Sequence, residues 1–373
     1  MRARIRAQCV KELLQFRRDR LTLGLAFLLP LLSLLILGFA IRLETKHIPI
    51  VVQDLDRSHL SYAYSDRLFA TDQFHPSRWR GTDPVQGALD QGTAKAAVII
   101  PPDFSRRIKA GKPVTVQVLV DGTDANNARV IRNSIQATTR FFLLDQGLIE
   151  DAQPVRAITR LWFNPGRKES LYIVPGVYAV VLWIFPSLLA AIAMVREKEK
   201  QTILQVYASG ISAGELLLGK GLAYLLVGGS MALVVMGLGS LIFRIGFAGD
   251  PTPLLVGTSL YLAAAVLFGL LLGVRSASQN AAVQGVSLIG FLSALLLSGF
   301  IYPVSNIPFP LSLVSAIVPA RYFVVISRDA YVRGTGWPGV GFDVLVILLA
   351  SLVLFEAARR SLGAMQLGNG DGP

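Results

Sequence analysis

The residues with the strongest claim to chemistry run from Gly214 to Gly221, Gly-Glu-Leu-Leu-Leu-Gly-Lys-Gly. Their spacing imitates the G-x-x-x-x-G-K-[ST] loop, whose backbone amides cradle phosphates and whose hydroxyl holds Mg²⁺. Gly221 stands where that hydroxyl belongs, and no buried strand precedes the stretch. A nucleotide site is therefore excluded, and the stretch reads as a loop entering an apolar run. The only histidines, His47, His59 and His75, have spacings that fit no helix-face ligand pair. Solvated surface positions account for them. A single cysteine, Cys9, excludes an internal disulfide and a Cys-based zinc cluster. No acid pair, Ser/His arrangement or cysteine nucleophile has a supporting context. The expectation is a non-enzyme with no catalytic residue, no metal and no cofactor of its own. If ATP and Mg²⁺ drive it, another chain binds them.

One charged stretch remains: Arg196-Glu197-Lys198-Glu199-Lys200, between two long apolar runs. Most charge runs are solvated turns. Here Thr202 caps or faces the next turn, and Ile203, Leu204, Val206 and Tyr207 offer an apolar face before the break at Ser209-Gly210. No span buries that face. An apolar patch beside charges, just inside a membrane surface, is what a docking site looks like.

The elements that hold this stretch follow from composition. The 373 residues are 53% hydrophobic and only 16% charged, against roughly 25% charged for a soluble protein. Net charge is +12; with such apolar runs, membrane orientation explains it better than nucleic acid does. Residues 1–20 read as a basic amphipathic helix lying on an anionic membrane face, with Ile5, Cys9, Leu13 and Phe16 at helical spacing. Leu21 to Ile41 is an uncharged first span kinked at Pro30. Further spans are expected at 171–195, 221–243, 251–274, 281–302 and 337–358, with a tail at 361–373. The uncharged run from Ser276 to Ala320 is too long for one span and is broken by Pro303, Pro308 and Pro310. A piece at 303–336 should therefore dip back into the outer leaflet. Among the short segments that flank the spans, Lys and Arg are denser in 1–20, 196–220, 275 and 359–360 than in the opposite loops, which hold only 244, 321, 328 and 333; this puts both termini in the cytoplasm. Asp343 and Glu356 fall near the ends of the sixth span. So little intramembrane charge argues against a proton-coupled carrier.

Residues 42–170 are different material, with 14 of the 24 acids and all the histidines. Strands are expected at 48–53, 95–100 and 114–120. Helices are expected at 60–70, capped by Ser58, at 104–110 and at 126–148. The alternation predicts a compact extracytoplasmic α/β domain. The fold class is thus an α-helical polytopic membrane protein of six spans with an inserted α/β domain.

With these residues in hand, the chain resembles the permease subunits of type-2 ABC exporters, the ABC-2 family. Four stretches carry the resemblance: Lys11–Leu32, Arg196–Lys220, Leu296–Leu311 and Ile317–Gly334. The first resembles the family's elbow helix, through Lys11, Glu12, Phe16, Arg18 and Asp19. The second resembles its E-x-E-x-x-T segment and coupling helix, through Glu197, Glu199, Thr202 and Ile203 to Ser209. The last two resemble its re-entrant outer segment, through Gly299, Phe300, Tyr302, Pro303, Pro319, Tyr322, Arg328 and Gly334. The insert between the first two spans resembles a subgroup with a large extracytoplasmic domain.

The resemblance implies a partner ABC ATPase carrying ATP and Mg²⁺, and a second permease copy or paralogue, in the inner membrane of a bacterium. Membrane lipids surround it, and no nucleic acid is implied. Members of this subgroup in double-membrane bacteria often work with a periplasmic adaptor and an outer-membrane channel. Two alternatives stand beside the exporter: an ATP-driven mechanotransmission complex that moves no solute, and a proton-coupled secondary transporter. Drug, lipid or another amphipathic cargo would suit an apolar path equally.

Overall fold

The computed structural model describes residues 1–41, 47–79, 83–123, 125–148, 163–166, 168–200 and 210–367. The chain divides into two units, 1–41 with 160–373 and 42–159.

The first unit is helical. Helix α1 spans Arg2–Arg18 and α2 spans Arg20–Ala40. Between them Asp19 accepts from the Thr22 amide at 3.1 Å and the Thr22 hydroxyl at 2.6 Å, an N-cap that starts α2 afresh. The sequence then passes through the second unit, whose α3, α4 and α5 are given below. Helices α6 (Ser170–Glu199), α7 (Ala213–Ile242), α8 (Thr252–Arg275), α9 (Gln279–Leu296) and α12 (Trp337–Gly363 in its apolar part) follow. With α2 they make, among the described residues, six helices long and apolar enough to cross a membrane. Between α9 and α12, α10 (Leu311–Ile317) and α11 (Pro319–Arg333) are bent against each other by 69°.

Three expectations need correction. Helix α6 runs past the expected end of the second span, and α7 begins before the expected start of the third. The charged residues 196–199, expected to open the coupling segment after the second span, form the last turn of α6. Gly214 to Gly221 is helix, not loop, because Ser212 and Glu215 form a capping box: the Ser212 hydroxyl accepts from the Glu215 amide at 3.2 Å, and the Glu215 carboxylate accepts from the Ser212 amide at 3.0 Å. The fifth span stops at Leu296, short of Tyr302. Gly299 holds φ at +80°, and Ser315 takes up the Leu297 carbonyl at 2.7 Å.

Helix α6 is the centre of this unit. Its Tyr178 and Trp183 join Tyr261 of α8 and Phe323 of α11 in the core, with the Tyr261 and Phe323 rings stacked at 4.2 Å. Helices α6 and α8 approach closely along Gly269 and Gly273. A Cβ at Gly269 would stand 2.1 Å from the Ser187 carbonyl oxygen, and one at Gly273 would stand 2.7 Å from that of Ala191. Small residues four apart let helix backbones meet where lipid supplies no hydrophobic drive.

The second unit carries a four-stranded sheet in the order β2-β1-β3-β4. Strands β1 (Ile48–Asp54), β2 (Phe74–Pro76) and β3 (Ala96–Ile100) are parallel, and β4 (Gln117–Val120) pairs antiparallel with β3. Helices α3 (His59–Phe69), α4 (Phe104–Lys109) and α5 (Ala125–Asp145) complete it. Ser58 caps α3 in a box with Ser61. Ile48, Ile50, Val98 and Ile100 meet Tyr64, Ile131 and Phe142 in one core.

Candidate functional site: a charged hub at the end of α6

Four consecutive residues, Arg196 to Glu199, close α6. A helix turns about 100° per residue, so four neighbours fan out around its axis. Each reaches a different partner. Arg196 pairs with Asp19, between α1 and α2, at 3.5 Å. Glu197 meets Lys11 of α1 at 2.8 Å and Lys220 of α7 at 3.2 Å. The Lys198 ammonium donates to the Val274 and Ser276 carbonyls at 2.8 and 2.6 Å, a cation placed on the negative end of α8. Glu199 accepts from the Gln279 backbone amide at 2.8 Å and from its side chain, at the start of α9.

Lys220 is the deepest member and is fully buried. Its ammonium lies 2.7 Å from Glu12 and 3.4 Å from the Ala193 carbonyl oxygen. Gln8 donates to the same Glu12 oxygen at 3.0 Å. Helix α1 can lie this close because residue 219 is glycine: a Cβ there would sit 2.6 Å from that of Gln8. A buried charge is tolerated only when paired and hydrogen-bonded. Here Lys11 and Lys220 balance Glu12 and Glu197. Burial pushes the Glu12 carboxyl up, against the pull of Lys220. At the rim, bonds from Thr22 hold the Asp19 carboxyl below its ordinary value, with Arg196 adding to them. A cavity of about 550 Å³ opens beside the hub, lined by Arg18, Arg196, Tyr224 and Gln279 among others.

The sequence expectations fare unequally here. Helix α1 buries Gln8 and Glu12, while Ile5, Cys9, Leu13 and Phe16 are only half-buried. Gln8 and Glu12 are the side chains that meet α7, at Gly219 and Lys220. Lys11, Glu12 and Asp19 enter the hub, Phe16 packs against the main core, and Arg18 lines the cavity. Glu197 and Glu199 part, one to α1 and α7 and the other to α9. Thr202, Ile203, Leu204, Val206, Tyr207 and Ser209 lie outside the described residues. Lys220, Gln8 and Gln279 were missed. Lys220 lies inside a helix taken for a loop.

Near the start of α6, about 38 Å away at 1.5 Å per residue, Tyr172 marks a second cluster. Arg328 donates to the Gly299 and Phe300 carbonyls at 3.1 and 3.2 Å and stacks 3.7 Å over the Tyr172 ring. These bonds satisfy the carbonyls left where α9 breaks. Pro319 opens α11, and Tyr322 donates to the Ala316 carbonyl at 2.7 Å. Gly334 takes a left-handed φ of +68° against Ala248. Tyr302 is exposed, and Pro303 precedes a short 3₁₀ turn. Gly299, Phe300 and Arg328 therefore come together, and the other five take no part in these bonds. Asp329, also missed, is buried and accepts from Thr335 and Gly336.

A model of ABC-2 family transporter proteins matches residues 20–358. The probable multidrug ABC transporter permease YbhS of Escherichia coli (strain K12) is 27% identical, with 94% of each chain covered. The probable multidrug ABC transporter permease YbhR of the same organism is 27% identical over 87% of this chain and 88% of its own. The inner membrane transport permease YhhJ, also from that strain, is 26% identical over 85% and 86%.

Proposed function

The chain belongs to the ABC-2 family of transporter proteins, and from that premise we propose that it is the subunit through which a separate ATPase drives export across the cytoplasmic membrane. It is a permease subunit of an ABC-type transporter and a multi-pass membrane protein. The observation that carries the finer reading is the fan of Arg196, Glu197, Lys198 and Glu199 onto four neighbouring segments. A force on residues 203–209, the expected seat of the ATPase, enters the membrane unit at this hub. Closure of the ATPase dimer on ATP then moves α1, α6, α7, α8 and α9 together. Two such units, from a second copy or a paralogue, rearrange about a central path, and the permease breaks no bond. Both termini and the hub face the cytoplasm in this reading, with α1 as the elbow helix against the lipid. Residues 42–159 form the extracytoplasmic domain and meet an adaptor where an outer membrane is present. The multidrug names of YbhS and YbhR favour an amphipathic small-molecule cargo.

The test is Glu197→Ala combined with Glu199→Ala in the reconstituted complex. Transport-coupled ATP turnover should fall about tenfold, a typical coupling free energy, while membrane insertion persists. Unchanged coupling removes the hub from the mechanism.

A further inference from the structure

A cavity of about 970 Å³ opens inside the second unit, between α5 and the β4 end of the sheet. Small-molecule sites typically enclose roughly 300–1,000 Å³ and are mostly apolar with a few placed polar groups. Phe104, Val118, Ile135 and Phe142 supply the apolar wall. Helix α5 is pinned on the α3 side, where the Tyr64 and Thr139 hydroxyls stand 2.7 Å apart and the Tyr64 and Phe142 rings meet at 5.2 Å. Toward β4 the space stays open.

The mouth is charged. Arg129, Arg132 and Arg140 also line the cavity. Their spacing of three and eight residues sets all three on one stripe of α5, beside the stripe of Ile135 and Phe142. All three are exposed, and none pairs with a carboxylate among the described residues. A neutral apolar ligand would have no use for three guanidinium groups along its entrance. Guanidinium forks match carboxylate, sulfate and phosphate oxygens.

We propose that the second unit binds a small amphipathic anion, with its apolar body in the cavity and its acidic head on the α5 arginines. This site is independent of the ATP-driven reading, and its failure would leave that reading standing.

The experiment uses the full chain in nanodiscs of zwitterionic phosphatidylcholine, with a diazirine-bearing dodecanoate as the probe. After irradiation the labelled peptides are mapped by mass spectrometry. Saturable labelling is expected within residues 104–143, displaced by unlabelled dodecanoate and much less by dodecanol. Replacing Arg129, Arg132 and Arg140 together by Gln should lower it about tenfold or more, the scale of a lost charge-assisted contact. Labelling of the apolar helices should not change. Val118→Trp, which fills the cavity without touching charge, should lower labelling as well. Because the arginines are exposed, their variant tests the site even if Val118→Trp unfolds. Nanodiscs containing phosphatidylglycerol separate the sources: suppressed labelling points to a bilayer headgroup, and persistent labelling to an amphipath taken from water. Labelling no denser in 104–143 than along the apolar helices, or indifferent to the arginine variant, overturns the proposal.

Discussion

Lys220 decides whether the hub is a structural unit or a loose set of surface pairs. It is fully buried between two carboxylates. Removing one partner of a buried ion pair costs about 3–5 kcal/mol, because the other charge is left uncompensated. Lys220→Met should therefore lower thermal stability sharply in mild detergent, since it leaves Glu12 and Glu197 with Lys11 alone. Adding Glu12→Gln should recover most of the loss, because charge balance returns. The double-mutant cycle reads the coupling directly; additive losses would mean that the two residues do not interact. This residue was hidden in the sequence by its setting. Read as part of a phosphate-loop imitation, Lys220 falls in a loop. The Ser212–Glu215 box, plain in the sequence, places it in the third turn of a helix, where a lone lysine among apolar residues calls for a buried partner. Glu197 and Glu199 were legible because their spacing with Thr202 matches a family pattern. Gln279 carried no such signal.

Among the elements, α6 and α8 make the closest approach on which the membrane unit is built. Gly269→Leu should destabilise the fold by about 2 kcal/mol or more, since an added side chain must displace Ser187 backbone. Gly24→Ala is the matched control. Nothing lies within 4 Å of a Cβ there, so α2 should tolerate it or gain up to about 1 kcal/mol in helix propensity. Thermal unfolding of both variants in the same detergent checks the contrast, and equal effects would contradict it. Long apolar helices were legible from hydropathy, and β1, β3 and β4 from their β-branched runs. Strand β2 was not: it has three residues, ends on Pro76 and sits at the sheet edge, where proline is tolerated. The early end of α9 was also illegible. It depends on Gly299 and on Ser315 and Arg328, which lie 18 and 29 residues from the carbonyls they take up.

At the scale of the whole molecule, the proposed reading requires a separate motor. In a mild-detergent pull-down of the tagged chain, an ATPase subunit with a complete phosphate-binding loop should copurify in stoichiometric amount. That subunit should be lost when residues 203–209 are replaced by a Gly-Ser linker, with the permease still inserted. A chain that purifies alone and moves cargo without ATP would contradict the account and turn attention to proton coupling through Asp343.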